Sequence, residues 1–164
     1  MKKHPKIKVP ATKWEKLFNF LSVILLISLI VYVVMAYNSL PEKVPTHFNA
    51  QGEADDWGNK VTVLIMPGVA LVSFIIMYFV TKAPHVYNYT VEITEENAPR
   101  LYPLARTFMA TINFEMVAIL SYIAWGMVQS AKSGTGLGMS FIFFVIVVPV
   151  VTIIIFMIRM NKVQ

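Results

Sequence analysis

LFNFLSVILLISLIVYVVMAY, residues 17–37, runs for 21 residues without a charged side chain. Coiled as an α-helix at about 1.5 Å per residue it is roughly 30 Å long, the thickness of the hydrocarbon core of a bilayer. Three further stretches have the same character: 61–80, 108–128 and 139–158, the third of these four runs interrupted only by Glu115. Backbone polar groups find no water in hydrocarbon, so helices are the expected solution for all four. The triplet Val34-Met35-Ala36 faintly resembles a leader-peptide cleavage site, but the run exceeds the roughly 7–15 apolar residues of a secretory leader. It therefore reads as an uncleaved first helix. The expected fold is all-α: a four-transmembrane-helix bundle forming a single integral membrane domain over residues 1–164.

Composition agrees. Only 14% of the 164 residues are charged and 57% are hydrophobic, whereas a soluble domain carries about a quarter charged residues. The net charge of +5 sits beside the spans, where basic residues set topology and meet anionic lipid head groups. It is not read as a nucleic-acid footprint. Without cysteine, disulfides, zinc–thiolate sites and thiol catalysis are excluded.

Orientation follows from the basic residues. Lys2, Lys3, Lys6, Lys8, Lys13 and Lys16 precede the first span, Lys82, Arg100 and Arg106 separate the second from the third, and Arg159 and Lys162 follow the fourth. Only Lys43, Lys60 and Lys132 fall on the other side. Both termini are thus expected in the cytoplasm, with loop 38–60 outside and loop 81–107 inside. Trp14, Tyr37 and Trp57 lie near span ends, as interfacial aromatics do. Pro67-Gly68 and Pro149 fall within spans two and four and are expected to bend them.

Loop 38–60 is long for a helical hairpin. Its prolines stiffen the first half, and Asn and Gly offer turn geometry in the second. Phe48 and Trp57 are candidates to anchor it on the bilayer or on the helix ends. His47, Glu53, Asp55 and Asp56 make the densest polar cluster in the chain. Three readings stay open: a solvated turn held by side-chain caps, a surface for a ligand or partner protein in which histidine supplies pH sensitivity, and a metal site. The spacing fits no calcium-loop or zinc pattern.

The residues Leu40, Pro41, Pro45, Thr46, His47, Phe48, Asn49, Gly52, Asp55, Trp57, Gly58 and Lys60 together form a string that resembles the signature of a bacterial family of domains of unknown function, DUF1648, which includes the N-terminal part of SdpI-type immunity proteins. Glu95, Asn97, Tyr102 and Arg106 resemble that family's inner loop. The resemblance implies a bacterial cell-membrane protein that protects against a secreted toxic peptide, and implies signalling by holding a repressor at the membrane. The chain departs from SdpI-type proteins in carrying four spans without their second, C-terminal membrane domain. It departs again in placing Pro99 and Pro103 where the family pattern reads as continuous helix.

In loop 81–107, Tyr87, Tyr89, Val91 and Ile93 alternate with Asn88, Thr90, Glu92 and Thr94. Period two with aromatic and β-branched residues predicts a short strand-like segment. A lone strand needs a partner edge, which points to a homodimer or a docking site; an extended segment on the head groups is the alternative. Thr94 followed by Glu95 and Glu96 predicts a helix start, with Pro103 kinking or restarting the helix and span three beginning with a cytoplasmic extension around Tyr102 to Thr107.

Glu115 is the one ionisable residue within a span. It shares a helix face with Thr111, Ala118 and Tyr122, and Asn19 and Ser22 lie at a similar depth on span one. Arg159 closes span four on the same side. Glu115 reads either as polar glue between helices or as the proton-coupling acid of a small transporter. Asn113 points off this face, towards a neighbouring helix. Gly134, Gly136 and Gly138 make an outer turn that lacks the lysine of a phosphate loop. No nucleophile–base pair or cofactor motif is visible, so an enzyme is not expected. The partners expected are the bilayer and a secreted peptide or second membrane protein; a purely structural accessory subunit is the third reading.

Overall fold

The fold was obtained as a computed structural model and describes residues 4–163; Lys2 and Lys3, counted above among the basic residues, lie outside them. Helix α1 spans Lys13–Tyr37. A hairpin of strands β1 (Lys43–Phe48) and β2 (Ala54–Asn59) follows. A 3₁₀ turn at Lys60–Leu64 leads into α2 (Ile65–Thr81), and α3 covers Ala98–Ser133. Helix α4, Ser140–Lys162, completes a set of four helices long and apolar enough to cross a membrane.

Helix α3 packs against all three others. Leu26, Leu29 and Val33 of α1, Ala70 of α2, and Val117, Ala124, Met127 and Val128 of α3 form a core that continues into Val44 and Phe48 of the hairpin. Most large side chains of α2 and α4 point outward, including Val72, Ile76, Phe79, Ile146, Val150 and Ile154. A surface of that kind suits lipid and not water.

The hairpin and the turn after α3 meet at one end of the bundle, where Leu137 N–H donates to Gly52 O at 2.6 Å. At the opposite, basic end, Ile7 and Val9 pack with Ile93, Leu101, Tyr102, Met160 and Val163. Both ends of the described chain therefore lie on one side.

Three expectations are corrected. The sheet forms in 38–60, not in 86–94. The alternation of Tyr87, Tyr89, Val91 and Ile93 does define a face: these side chains turn inward while Asn88, Thr90, Glu92 and Thr94 stay exposed. They pack side chain to side chain against α3 and the N-terminal segment, so no backbone ladder forms. In 43–59, by contrast, two extended runs lie within one turn of each other and pair.

The third helix begins at Ala98, close to the start expected at Thr94 and ten residues before the apolar span expected from 108, and it runs through Pro103, where a kink or restart was expected. Thr94 and Asn97 bond reciprocally, Thr94 N–H to Asn97 Oδ1 at 2.9 Å and Asn97 N–H to Thr94 Oγ1 at 3.2 Å. This is capping-box geometry with Asn in place of Glu. Pro99 occupies the first turn, where no donor is missed. The full burial of Leu101, Tyr102 and Ala105 outweighs the bond that Pro103 forfeits. At 36 residues, α3 is about 54 Å long at the helical rise and overhangs a bilayer core.

Pro67 falls in the first turn of α2, after a 3₁₀ turn, and not mid-helix. Pro149 follows a π turn at Phe143–Val147, where the regular bonding ladder is already interrupted.

Gly126 near the end of α3 and Gly136 after it have a structural use. A Cβ on Gly136 would stand 2.3 Å from Gly52 O, and one on Gly126 would stand 2.1 Å from Leu137 Cδ2. Leu137 thus seats in a notch that Gly126 leaves, while Gly136 lets the two loops touch backbone to backbone. Gly136→Ala should undock them at a cost of about 1–3 kcal/mol, read as faster hydrogen exchange at the Leu137 amide and a lower unfolding midpoint in detergent. Unchanged exchange at that amide would sink the account.

Candidate functional site

The hairpin presents one group of side chains. Its ladder pairs Lys43 with Asn59, Val44 with Gly58, Pro45 with Trp57, His47 with Asp56 and Phe48 with Ala54, leaving bulges at Thr46 and Asp55. Each bulge breaks the alternation of faces and re-aims its neighbours. Val44, Pro45 and Phe48 stay inward, whereas Thr46, His47, Asp55, Asp56 and Trp57 all reach the surface. His47 Nδ1 lies 2.6 Å from Asp55 Oδ1, with the side chains 66% and 44% exposed. The carboxylate only accepts, so Nδ1 donates and Nε2 is left facing outward. Thr46 Oγ1 donates to Asp56 Oδ2 at 2.9 Å, and Trp57 is 46% exposed. No group of three His, Asp or Glu side chains placed to hold a metal occurs among the described residues.

The other motif residues build this platform. Asn49 Oδ1 accepts from the N–H groups of Gln51 and Glu53 at 2.9 and 3.0 Å, an Asx turn. Gly52 takes φ +76°, a region that costs glycine nothing. A Cβ on Gly58 would meet Thr46 Cγ2 at 2.7 Å. Lys60 Nζ pairs with Glu42 at 2.8 Å and closes the base of the hairpin. Pro45 is buried and Phe48 packs towards Phe141 of α4, while Pro41 is exposed.

Glu115 lies between α3 and α4, where the Thr152 hydroxyl donates to Oε1. Its Oε2 is buried and unpartnered among the described residues. Glu115, Ala118 and Tyr122 line a groove of about 230 Å³ with Phe144 and Val148, so the expected face exists. Thr111 bonds to its own helix at Thr107 O and Ser22 to Phe18 O. Neither these nor Asn19, whose Oδ1 is also unpartnered, joins Glu115. Arg159 is exposed. Asn113 reaches Phe74 O of α2 at 3.4 Å.

The basic end holds a third constellation. Arg106 pairs with Glu15 at 2.7 Å, both side chains largely buried, and also donates to Val9 O at 2.7 Å. Tyr102 donates to Pro5 O, and Thr12 bonds Thr107 while capping α1 at Glu15 N–H. Asn97 Nδ2 donates to Glu92 O, and Glu95 is exposed in the adjoining turn. Sequence reading passed over Glu15 and Thr152. Glu15 carried a signal, as the lone acid of a lysine-rich run; Thr152 carried none.

This geometry defines a four-helix, membrane-spanning chain whose first helical hairpin carries a docked β-hairpin. Residues 23–71, from within α1 through the β-hairpin into α2, match a family described as a domain of unknown function, DUF1648. A stretch of 73 residues is 38% identical to an uncharacterized protein of Archaeoglobus fulgidus, covering 44% of this chain. The match spans 40% of that relative's length. No solved structure matches.

Two outcomes follow from the basic end. Removing one partner of a buried ion pair strands the other charge, so Glu15→Gln or Arg106→Met should each cost about 3–5 kcal/mol. Pairing Glu15→Leu with Arg106→Met should recover much of that in detergent denaturation; a double variant as weak as the singles would contradict it. Burial also pushes the Tyr87 and Tyr89 phenols well above their ordinary value of 10.0, and they donate to Val80 O and Pro84 O. A group held neutral in this way stabilises the fold fully below that ordinary value and less as pH rises past it. Alkaline titration should therefore loosen segment 82–97, with late tyrosinate absorbance that is reduced in Tyr89→Phe.

Proposed function

We propose that the chain is a membrane-embedded recognition and protection module whose hairpin binds a secreted peptide or a partner membrane protein. The observation that carries this reading is the division of labour within the hairpin. Asn49, Gly52, Gly58, Pro45, Phe48 and Lys60 have structural duties. His47, Asp55 and Trp57 are held on a docked scaffold yet reach into solvent. An aromatic side chain beside a polar pair on a pre-organised surface is what a protein contact favours. In a bacterial membrane the basic end faces the cytoplasm by the positive-inside rule, which puts the hairpin outside, where a secreted peptide arrives. Likeness to SdpI-type immunity proteins makes a toxic peptide the first ligand to try.

A second reading, a small proton-coupled transporter, is favoured by the unpartnered Glu115 Oε2 in the α3–α4 groove. Intramembrane acids in such positions commonly serve proton transfer.

Expressed in a peptide-sensitive bacterium, the chain should raise survival under a secreted killing peptide. His47→Ala and Asp55→Asn should abolish that gain at equal membrane expression, and Glu115→Gln should leave it intact. Sensitivity of Glu115→Gln alone, with loss of pH-dependent flux, would replace the first reading by the second.

A further inference from the structure

At the basic end, the N-terminal segment lies along α3 as a strap. Tyr102, Arg106 and Thr107 fasten it at Pro5, Val9 and Thr12. Ile7 and Val9 turn inward onto the apolar cluster, so the extended backbone turns Lys6 and Lys8 to the other face. A cleft of about 430 Å³ opens between the strap and the start of the α2–α3 connection, lined by Lys6, Lys8, Lys82, His85 and Arg106 together with Ile7, Val9 and Pro84.

The charges in this cleft do not cancel. Its lining holds four permanent cations and no carboxylate. Glu15, outside the lining, pairs with Arg106 and compensates its charge, so the excess rests on the three lysines. Among the described residues Lys6, Lys8 and Lys82 make no salt bridge. The Lys82 ammonium rests 4.0 Å from the Tyr78 ring centroid, and Arg106 Nε is buried without an acceptor. Like charges converging on one open cleft repel, and a polyanion with several acceptor oxygens relieves that repulsion. The backbone that carries Lys82 is held in place. Thr81 is buried at the end of α2 directly before Lys82, and Tyr87 and Tyr89 tie the Pro84–Val86 3₁₀ turn to Val80 and Pro84.

We propose that this cleft is a binding site for a phosphate group, with Lys8 and Lys82 as its principal ligands from opposite walls and Lys6 completing the field. Two sources supply that chemistry. A phospholipid head group reaches the cleft from the bilayer beside α2, and a soluble phosphate compound reaches it from the aqueous side. The site is separate from the hairpin and does not depend on the function proposed above.

The test uses the full chain purified in detergent and in phosphatidylcholine nanodiscs with or without phosphatidylglycerol. Lipid retention is read by native mass spectrometry, and binding of inorganic phosphate and pyrophosphate by calorimetry. A Lys8→Gln, Lys82→Gln double variant should lower anionic-lipid retention by about tenfold or more. Lys13→Gln with Lys16→Gln, equal in charge change and outside the cleft, should have little effect. Loss confined to phosphatidylglycerol assigns the site to a head group; parallel loss of phosphate or pyrophosphate binding assigns it to soluble phosphates as well. Equal losses in the two double variants would show a diffuse basic fringe and overturn the site, as would absence of binding to any of these probes. Circular dichroism and the unfolding midpoint of each variant separate lost binding from lost structure.

Discussion

Glu15 and Arg106 stand 2.7 Å apart in surroundings that leave the carboxylate 5% exposed. Neither charge could remain there alone. That pair sets where α1 meets α3, and the same guanidinium holds the N-terminal strap through Val9 O. Helix α3 is long enough to carry both duties. Its middle packs against the other helices while its first turns, centred on the buried Leu101 and Tyr102, form a platform for the strap, for segment 87–93 and for the end of α4. The basic end is thus a small apolar core of its own, closed by the Glu15–Arg106 ion pair and a ring of backbone-directed hydrogen bonds.

The hairpin end is organised differently. A two-stranded ribbon is marginal by itself in water. Here Val44 and Phe48 extend the helix core upward, and Gly52 meets the Gly136–Gly138 turn with no side chain between. Bulges then spend part of the ladder on exposure, carrying Thr46, His47, Asp55 and Asp56 to one surface. Rigidity comes from the buried side and presentation from the other, an economical way to display polar side chains beside a membrane.

Much of this was legible in the chain itself. Four apolar runs of bilayer length fixed the number of spanning helices, because hydrocarbon admits little else. Asn49, Gly52 and Thr94 announced turns and a helix start through local bonding that needs no distant partner. Alternation in 87–93 revealed which side chains turn inward. It could not reveal whether a backbone edge lay alongside, and none does among the described residues. Beyond Thr94 the continuity of α3 was hidden for a related reason: Pro103 argues against an unbroken helix locally, and the burial of Leu101, Tyr102 and Ala105 overrules it.

What the sequence determined alone was the set of spans and the short-range turns, since periodicity, length and capping act within a few residues. The tertiary structure decided what each polar group meets. It gave Arg106 to Glu15 and Glu115 to Thr152, partners 91 and 37 positions away. It also brought Lys8 and Lys82 to one cleft. Pairings over such distances arise from the packing of whole helices, and no local pattern encodes them.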